Sequence, residues 1–292
     1  MQQKSINIID SLTQIIDRYQ FFIVDIWGVL HDGSRLYPAV IQTLKYLQQQ
    51  QKIVCLLSNA PRKKQIVVNV LQQMGIDSNL YQTILTSGEA VYLDLQHNQQ
   101  NNFSHFGKNY FYLGPPKDQD LLQGLSYVNT NLQRASFVLN TGFDDNETLL
   151  QKIPLLQQAK SLDLPMICAN PDLLVVKQDG SKFNCAGIMA KYYQDLGGKV
   201  VYYGKPYNKI YEILYNEIKK PAKSSIVAIG DGFETDIAGA NNFGIDSILI
   251  TGGILTHELK ISFSQQVDID KIKKLCQKYM STPNYTITNF KI

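Results

Sequence analysis

The sequence predicts an α/β protein, a parallel sheet flanked by helices and interrupted by a second α/β module. Three observations predict it. Apolar runs ending in polar residues alternate with helix-period segments near the start of the chain, the alternation returns near its end, and a stretch between them carries strands and helices of its own. At 292 residues the chain exceeds what one ordinary core needs, which suits a core with an insertion.

The first alternation begins with "FFIVDIWGVL" as a buried strand. Next, "YPAVIQTLKYLQQQ" places Val40, Leu44 and Leu47 on one helical face, with Pro38 suited to its first turn. "KIVCLLSN" is a second strand, and the continuous apolar content of both strands points to a sheet covered on both faces. In the helix "RKKQIVVNVLQQMG", Ile66, Val67, Val70, Leu71 and Met74 share a side, and Gly75 is placed to end it.

The intervening module contributes the strands "NYFYLG", "ASFVLN" and "LPMICAN" and the helix "DNETLLQKIPLLQQAKSL"; "LQHNQQNNF" (95–103) reads as an exposed polar loop. The second alternation runs through "KVVYYG", "PYNKIYEILYNEI", "SSIVAIGDG", "DIAGANNFG" and "DSILITGG". Turn chemistry near "TSGEA" and at Gly187 divides the chain into a discontinuous core, 1–87 and 187–292, and an insertion, 88–186.

Composition narrows the function. Hydrophobic residues make up 44% and charged residues 18%, as in ordinary globular chains. A net charge of +3, from 28 basic and 25 acidic side chains with scattered lysines, is too small to argue for a nucleic-acid or anionic membrane surface, and neither partner is expected. No run reaches the ~18 apolar residues of a spanning helix. The polar start "MQQKSINIIDSLTQ" lacks the apolar stretch of a signal peptide, which points to the cytoplasm. Cys55, Cys168, Cys185 and Cys276 have no metal-ligand spacing and read as buried free thiols.

In open parallel sheets, ligands bind beyond the carboxyl ends of the strands. Polar residues collect at such ends here: Asp25 after "FFIV", Ser58 and Asn59 after "IVCLL", Lys205 after "VVYYG", and Asp231 after "IVAIG", with Asp236 farther along. Facing acids repel unless a cation lies between them, and hard Mg²⁺ prefers oxygen ligands; a lysine and a hydroxyl alongside suit phosphate oxygens. Taken singly, Asp25 is a turn or cap carboxylate, Ser58 and Asn59 are turn formers, and Lys205 is a solvated side chain. The ordered set shifts that balance.

That set resembles the haloacid dehalogenase superfamily, within it the class IIA phosphatases related to sugar-phosphate, nucleotide and pyridoxal-phosphate phosphatases. "DIWGVLHDG", "LLSNAPR", "GKP" and "GDGFETDIAGANNFG" are similar to its four motifs in order and spacing, and "CANPD" (168–172) to a stretch of its cap. The resemblance implies a Rossmann-like core with an inserted α/β cap domain of the kind found in that class. It implies Asp25 as the nucleophile forming an aspartyl-phosphate, Ser58 and the Asn59 backbone holding a phosphoryl oxygen, and Lys205 neutralising developing charge. Asp25, Asp231 and the main-chain carbonyl of Trp27 would bind Mg²⁺, supported by Asp236. Asn170, Pro171 and Asp172 would shape the pocket of a small phosphorylated substrate, and relatives of the class often form homodimers through their caps.

The departure is Trp27. In these phosphatases the residue two beyond the nucleophile is normally an aspartate that protonates the leaving oxygen, a role worth about 10²–10⁴ in rate. Indole cannot titrate. The chain is similar in this to a subgroup with Trp at that place. His31 offers an imidazole as a substitute proton donor, against a purely structural role in the flap "VLHDG", and Trp27 itself either stacks on substrate or packs as a wall. A slow or selective phosphatase and a phosphate-binding protein that has lost efficient turnover both fit; dehalogenation fits less well, because the Asp231 and Asp236 pair implies a metal it does not need.

Overall fold

The computed structural model describes residues 5–97, 106–176, 182–259 and 268–292. Most of the expected polar loop at 95–103 falls outside the described residues. In chain order the strands are β1 (Asn7–Ile8), β2 (Phe21–Asp25), β3 (Ile53–Ser58), β4 (Thr83–Thr86), β5 (Asn109–Leu113), β6 (Val128–Asn129) and β7 (Phe137–Asn140). They continue as β8 (Met166–Cys168), β9 (Leu174–Val176), β10 (Lys182–Asn184), β11 (Val200–Tyr202), β12 (Ile226–Gly230), β13 (Asp246–Ile250) and β14 (Tyr285–Ile287). A seven-stranded sheet runs β1-β14-β13-β12-β2-β3-β4, a five-stranded sheet runs β11-β8-β7-β5-β6, and every pairing within them is parallel. β9 and β10 form a separate antiparallel hairpin.

Both faces of the larger sheet are buried, as the unbroken apolar strands require. Phe22, Val24, Val54, Leu56, Val227, Ile229, Ile248 and Ile250 point into one core, which α1 (Val40–Gln49) and α2 (Lys64–Gln73) cover with Val40, Leu44, Leu47, Val67 and Leu71. The alternate residues Ile23, Cys55, Leu57, Ile226 and Ala228 face the other way. There they join α3 (Ser87–Gln96), α6 (Asn208–Glu217) and, across from them, Tyr110, Phe137, Leu139 and Ile167 of the smaller sheet. The opposite face of the smaller sheet packs on α4 (Leu149–Ser161) and α5 (Ala186–Asp195) through Leu156, Ala159, Met189, Ala190 and Tyr193.

Three expectations need correction. Val200–Tyr202, assigned to the core segment 187–292, pairs with β8 and is the edge strand of the smaller sheet, and α5 packs there too. A three-residue apolar strand has no periodicity that names its partner. On α2, Ile66 and Val70 are 42% and 36% exposed, so the buried stripe is the narrower Val67–Leu71 line. Pro38 precedes α1 rather than opening it, since Ala39, in the left-handed region, is the N-cap.

No helix among the described residues is long and apolar enough to cross a membrane. All four cysteines are buried and free.

Candidate active site

Asp25 is the last residue of β2, and β12 beside it ends at Gly230, which brings Asp25 and Asp231 to neighbouring strand ends. Beyond Asp231 the chain enters a single turn of π-helix, Phe233–Ile237, before α7 (Ala238–Phe243). Such wide turns are uncommon and cluster at functional sites. Here it turns Asp236 back so that its Oδ2 accepts from Gly232 N–H at 3.1 Å. One carboxylate oxygen from each of Asp25, Asp231 and Asp236 lies within 4.8 Å of the others, and all three residues are buried.

Lys205 is buried among them. Its ammonium is hydrogen-bonded to Asp25 Oδ1, donates to Asp236 Oδ1 at 2.7 Å, and reaches Leu57 O at 3.4 Å. One cation therefore serves two carboxylates, while Asp231 Oδ2 accepts the Ile254 N–H at 2.7 Å. Burial, partly offset by Lys205, holds Asp25 well above the usual carboxylate range. Burial and the charge of Asp236 push Asp231 up to about 7. Lys205 is raised despite its burial by Asp236 and Asp25.

Three clustered carboxyls, once ionised, outweigh one ammonium in a buried site, an arrangement that is costly unless a cation compensates it. The donors are all hard oxygens at the spacing a divalent cation takes, so the residues present fit Mg²⁺. Room for them is cut by glycine: at Gly28, with φ of 81°, a Cβ would overlap the Asp231 carboxylate.

The second expected group lies alongside. Ser58 ends β3, is buried, and its Oγ accepts from Ala60 N–H at 3.2 Å, closing a tight turn. Asn59 is held from both ends: Oδ1 accepts from Lys205 N–H at 2.7 Å, and Nδ2 donates to Lys205 O at 3.0 Å and to Asp172 Oδ1 at 2.7 Å. Asn170 in turn orders this loop, its Oδ1 accepting from Asp172 N–H at 2.9 Å. Burial raises Asp172 to about 6 against the opposing Asn59 hydrogen bond, so the group is mostly ionised at neutral pH.

The flap after β2 is of another character. Trp27 is half-buried, and its ring meets the His31 ring edge-on at 5.7 Å. It also covers Gly33, whose φ of 96° and lack of a side chain leave the indole its place. Trp27 thus packs against its own flap. His31, expected as a substitute proton donor, is 4% exposed, and its Nδ1 accepts from Gly33 N–H at 2.9 Å. Burial lowers its pKa to about 4. Burial thus favours the neutral ring, with Nδ1 accepting from the turn and the ring proton on Nε2. These contacts suit the structural role in the flap that the sequence also offers.

Two contacts escaped the sequence. Asp172 crossing to Asn59 is one; the other is Arg62, just past the Ser58 turn, whose Nε lies 3.2 Å from the buried Asp118 between β5 and β6. The glycines of "DIWG" and "GDG" were the available signal for carboxylate packing. For the Arg62–Asp118 pair there was none.

The family described as haloacid dehalogenase-like hydrolase matches residues 22–128, and that described as HAD-hydrolase-like matches 202–274, together more than half of the chain. An acid sugar phosphatase of Staphylococcus haemolyticus is 23% identical over 271 residues, covering 89% of this chain and 99% of that protein. A haloacid dehalogenase-like hydrolase from Brucella suis superposes with a TM-score of 0.80 at 29% identity, over 96% of this chain and 98% of its own. A 4-nitrophenylphosphatase from Thermotoga maritima, 23% identical, superposes with a TM-score of 0.70 over 94% of this chain and 96% of its own.

Proposed function

We infer that this chain, which belongs to the haloacid dehalogenase-like hydrolases, is a Mg²⁺-dependent phosphatase acting on a small phosphorylated metabolite through an aspartyl-phosphate at Asp25. The observation that carries the reading is the bridge of the Lys205 ammonium between Asp25 and Asp236 beside the buried Asp231. It is the charge arrangement an in-line phosphoryl transfer to a carboxylate requires. The relatives named above as an acid sugar phosphatase and a 4-nitrophenylphosphatase support the reaction class.

Asp25, Asp231 and Asp236, with the main-chain carbonyl of Trp27, would hold the cation. When bound, it neutralises phosphoryl charge that the carboxylates would otherwise repel. The chain's own residues do the rest. Lys205 keeps Asp25 oriented and offers its ammonium to an equatorial phosphoryl oxygen, while the Ser58 hydroxyl and the Asn59 backbone N–H cradle another. An Asp25 oxygen forms the new bond to phosphorus as the bond to the leaving oxygen breaks, and water then cleaves the acyl-phosphate to release phosphate.

With Trp27 in the acid's place, the leaving oxygen departs without a proton from this position. Groups stable as anions are then favoured: acyl phosphates and aryl phosphates turn over, and alkyl phosphates lag by about 10²–10⁴. The same feature favours a second reading, a protein that binds a phosphorylated ligand and barely turns it over. Assay of acetyl phosphate, p-nitrophenyl phosphate and a sugar phosphate, each with Mg²⁺ and with EDTA, separates the two. Metal-dependent turnover ordered by leaving group supports the phosphatase; saturable Mg²⁺-dependent binding without turnover supports the second reading.

A further inference from the structure

Asp172 lies outside the charge cluster, on the segment between β8 and β9, yet it is the group that reaches Asn59. Asn59 makes a paired contact with Lys205: one side-chain atom accepts from its N–H and the other donates to its carbonyl, at 2.7 and 3.0 Å. The Lys205 side chain then ends on Asp25 and Asp236. A continuous line of hydrogen bonds therefore runs from Asp172 through Asn59 and Lys205 to the nucleophile. We propose that Asp172 is a positioning residue for the phosphoryl-transfer site: by fixing the Asn59 amide it sets the Lys205 backbone, and with it the ammonium that orients Asp25.

The arrangement has a built direction. A side-chain amide can satisfy a peptide on both its donor and acceptor atoms only in one orientation, and the Asp172 carboxylate, an acceptor with no hydrogen to give above neutral pH, selects that orientation. Ser87 Oγ also approaches that amide, at 3.4 Å from Asn59 Oδ1, and its longer contact constrains it less. Gly204 leaves the approach open, since a Cβ there would meet Asn59 and Pro171. Because Asp172 follows the strand β8 of the smaller sheet while Asp25 ends a strand of the larger one, the line also ties the two sheets together at the site. The proposal rests on the phosphatase reading for its catalytic consequence, but the placement of Lys205 is measurable on phosphate binding alone.

The test is a double-mutant cycle on the full chain with D172A, N59A and the pair, and D172N as the conservative variant. Turnover of acetyl phosphate, Mg²⁺-dependent affinity for inorganic phosphate and the melting midpoint are read for each. D172A is expected to lower kcat about 10-fold or more, since small misplacements of catalytic groups are costly, with KM little changed. D172N, whose amide oxygen still accepts from Asn59 Nδ2, recovers most of that loss, and D172A adds nothing in the N59A background. Additive losses, an unrecovered D172N, or a fall in melting midpoint with kcat intact would overturn the proposal. If the wild-type protein does not turn over, the phosphatase reading fails separately, and the same cycle read on phosphate affinity decides the positioning role: non-additive loss upholds it, additive or absent loss overturns it.

Discussion

Asp25 and Trp27 are separated by one residue, yet the regions they belong to differ in kind. On the Asp25 side, three buried carboxyls and one buried ammonium converge from β2, β12, the π turn and the segment after β11. On the Trp27 side, an indole, a neutral imidazole and a glycine fill a turn whose hydrogen bonds are made within itself. On the proposed phosphatase reading, the difference teaches that stabilising transferred charge and delivering a proton are separable functions of one site. The first is built from residues on four segments that must be placed together; the second depends on a single titrating side chain, and a packed ring can stand in its place without disturbing the neighbours.

The largest effect is expected from erasing the difference. Trp27→Asp places a titratable group two residues past Asp25, the proposed nucleophile. It should raise turnover of alkyl phosphates by about 10²-fold or more while leaving acetyl phosphate within a few-fold, because only the poor leaving group needs the proton. A parallel set of kcat values across leaving groups checks it; equal gains on all substrates would show that the indole obstructs the site rather than omits a function. Loss of the ring leaves a hole against Gly33 and His31, so the variant should also be less stable, by about 2–4 kcal/mol on the scale of large-to-small substitutions.

A smaller effect sharpens the electrostatic side. Asp25 and Asp231 have folded-state pKa values raised above the usual carboxylate range, Asp231 to about 7. Groups raised in this way favour the fold while protonated, and that contribution is lost as pH climbs through the folded value. Lys205, raised from a value already near 10.5, stays charged throughout and does not change the sign. The metal-free protein should therefore lose stability between about pH 4 and pH 7. Mg²⁺, which competes with those protons, should raise the melting midpoint more at the upper end of that window than at the lower. Melting curves with Mg²⁺ and with EDTA at the two ends read this directly; an equal or reversed shift would place the cation elsewhere.

The smallest effect belongs to His31. With its Nδ1 accepting from Gly33 and its pKa lowered to about 4, His31→Gln should change kcat less than about 3-fold and leave the pH profile between about 6 and 8 in place, as expected of a structural group. Loss of a limb of that profile in the variant would restore the imidazole to the chemistry.

Much of this was readable before the structure. β2, β3, β12 and β13 are unbroken apolar runs ending in polar residues, a pattern typical of doubly covered parallel strands, and Asp25, Ser58, Asn59, Asp231 and Asp236 follow from them. Lys205 was placed correctly beside Asp25 although its strand was given to the wrong sheet, since motif order constrains the residue and not the strand pairing. β1 and β14 are two and three residues long, too short to show a period. The bond from Asp172 to Asn59 spans 113 positions. Nothing local announces it, as the partner is set by how the two sheets meet. For His31, residue type suggests proton transfer, while burial and one backbone donor favour a structural role in the turn.

Trapping the phosphorylated protein tests the central claim most directly. Wild-type chain and Asp25→Asn would be incubated with acetyl phosphate and Mg²⁺, quenched in acid and mapped by mass spectrometry. The account predicts one phosphoryl group on the peptide containing Asp25 in the wild type and none in the variant. Phosphate that persists in Asp25→Asn, or maps to another residue, would contradict it.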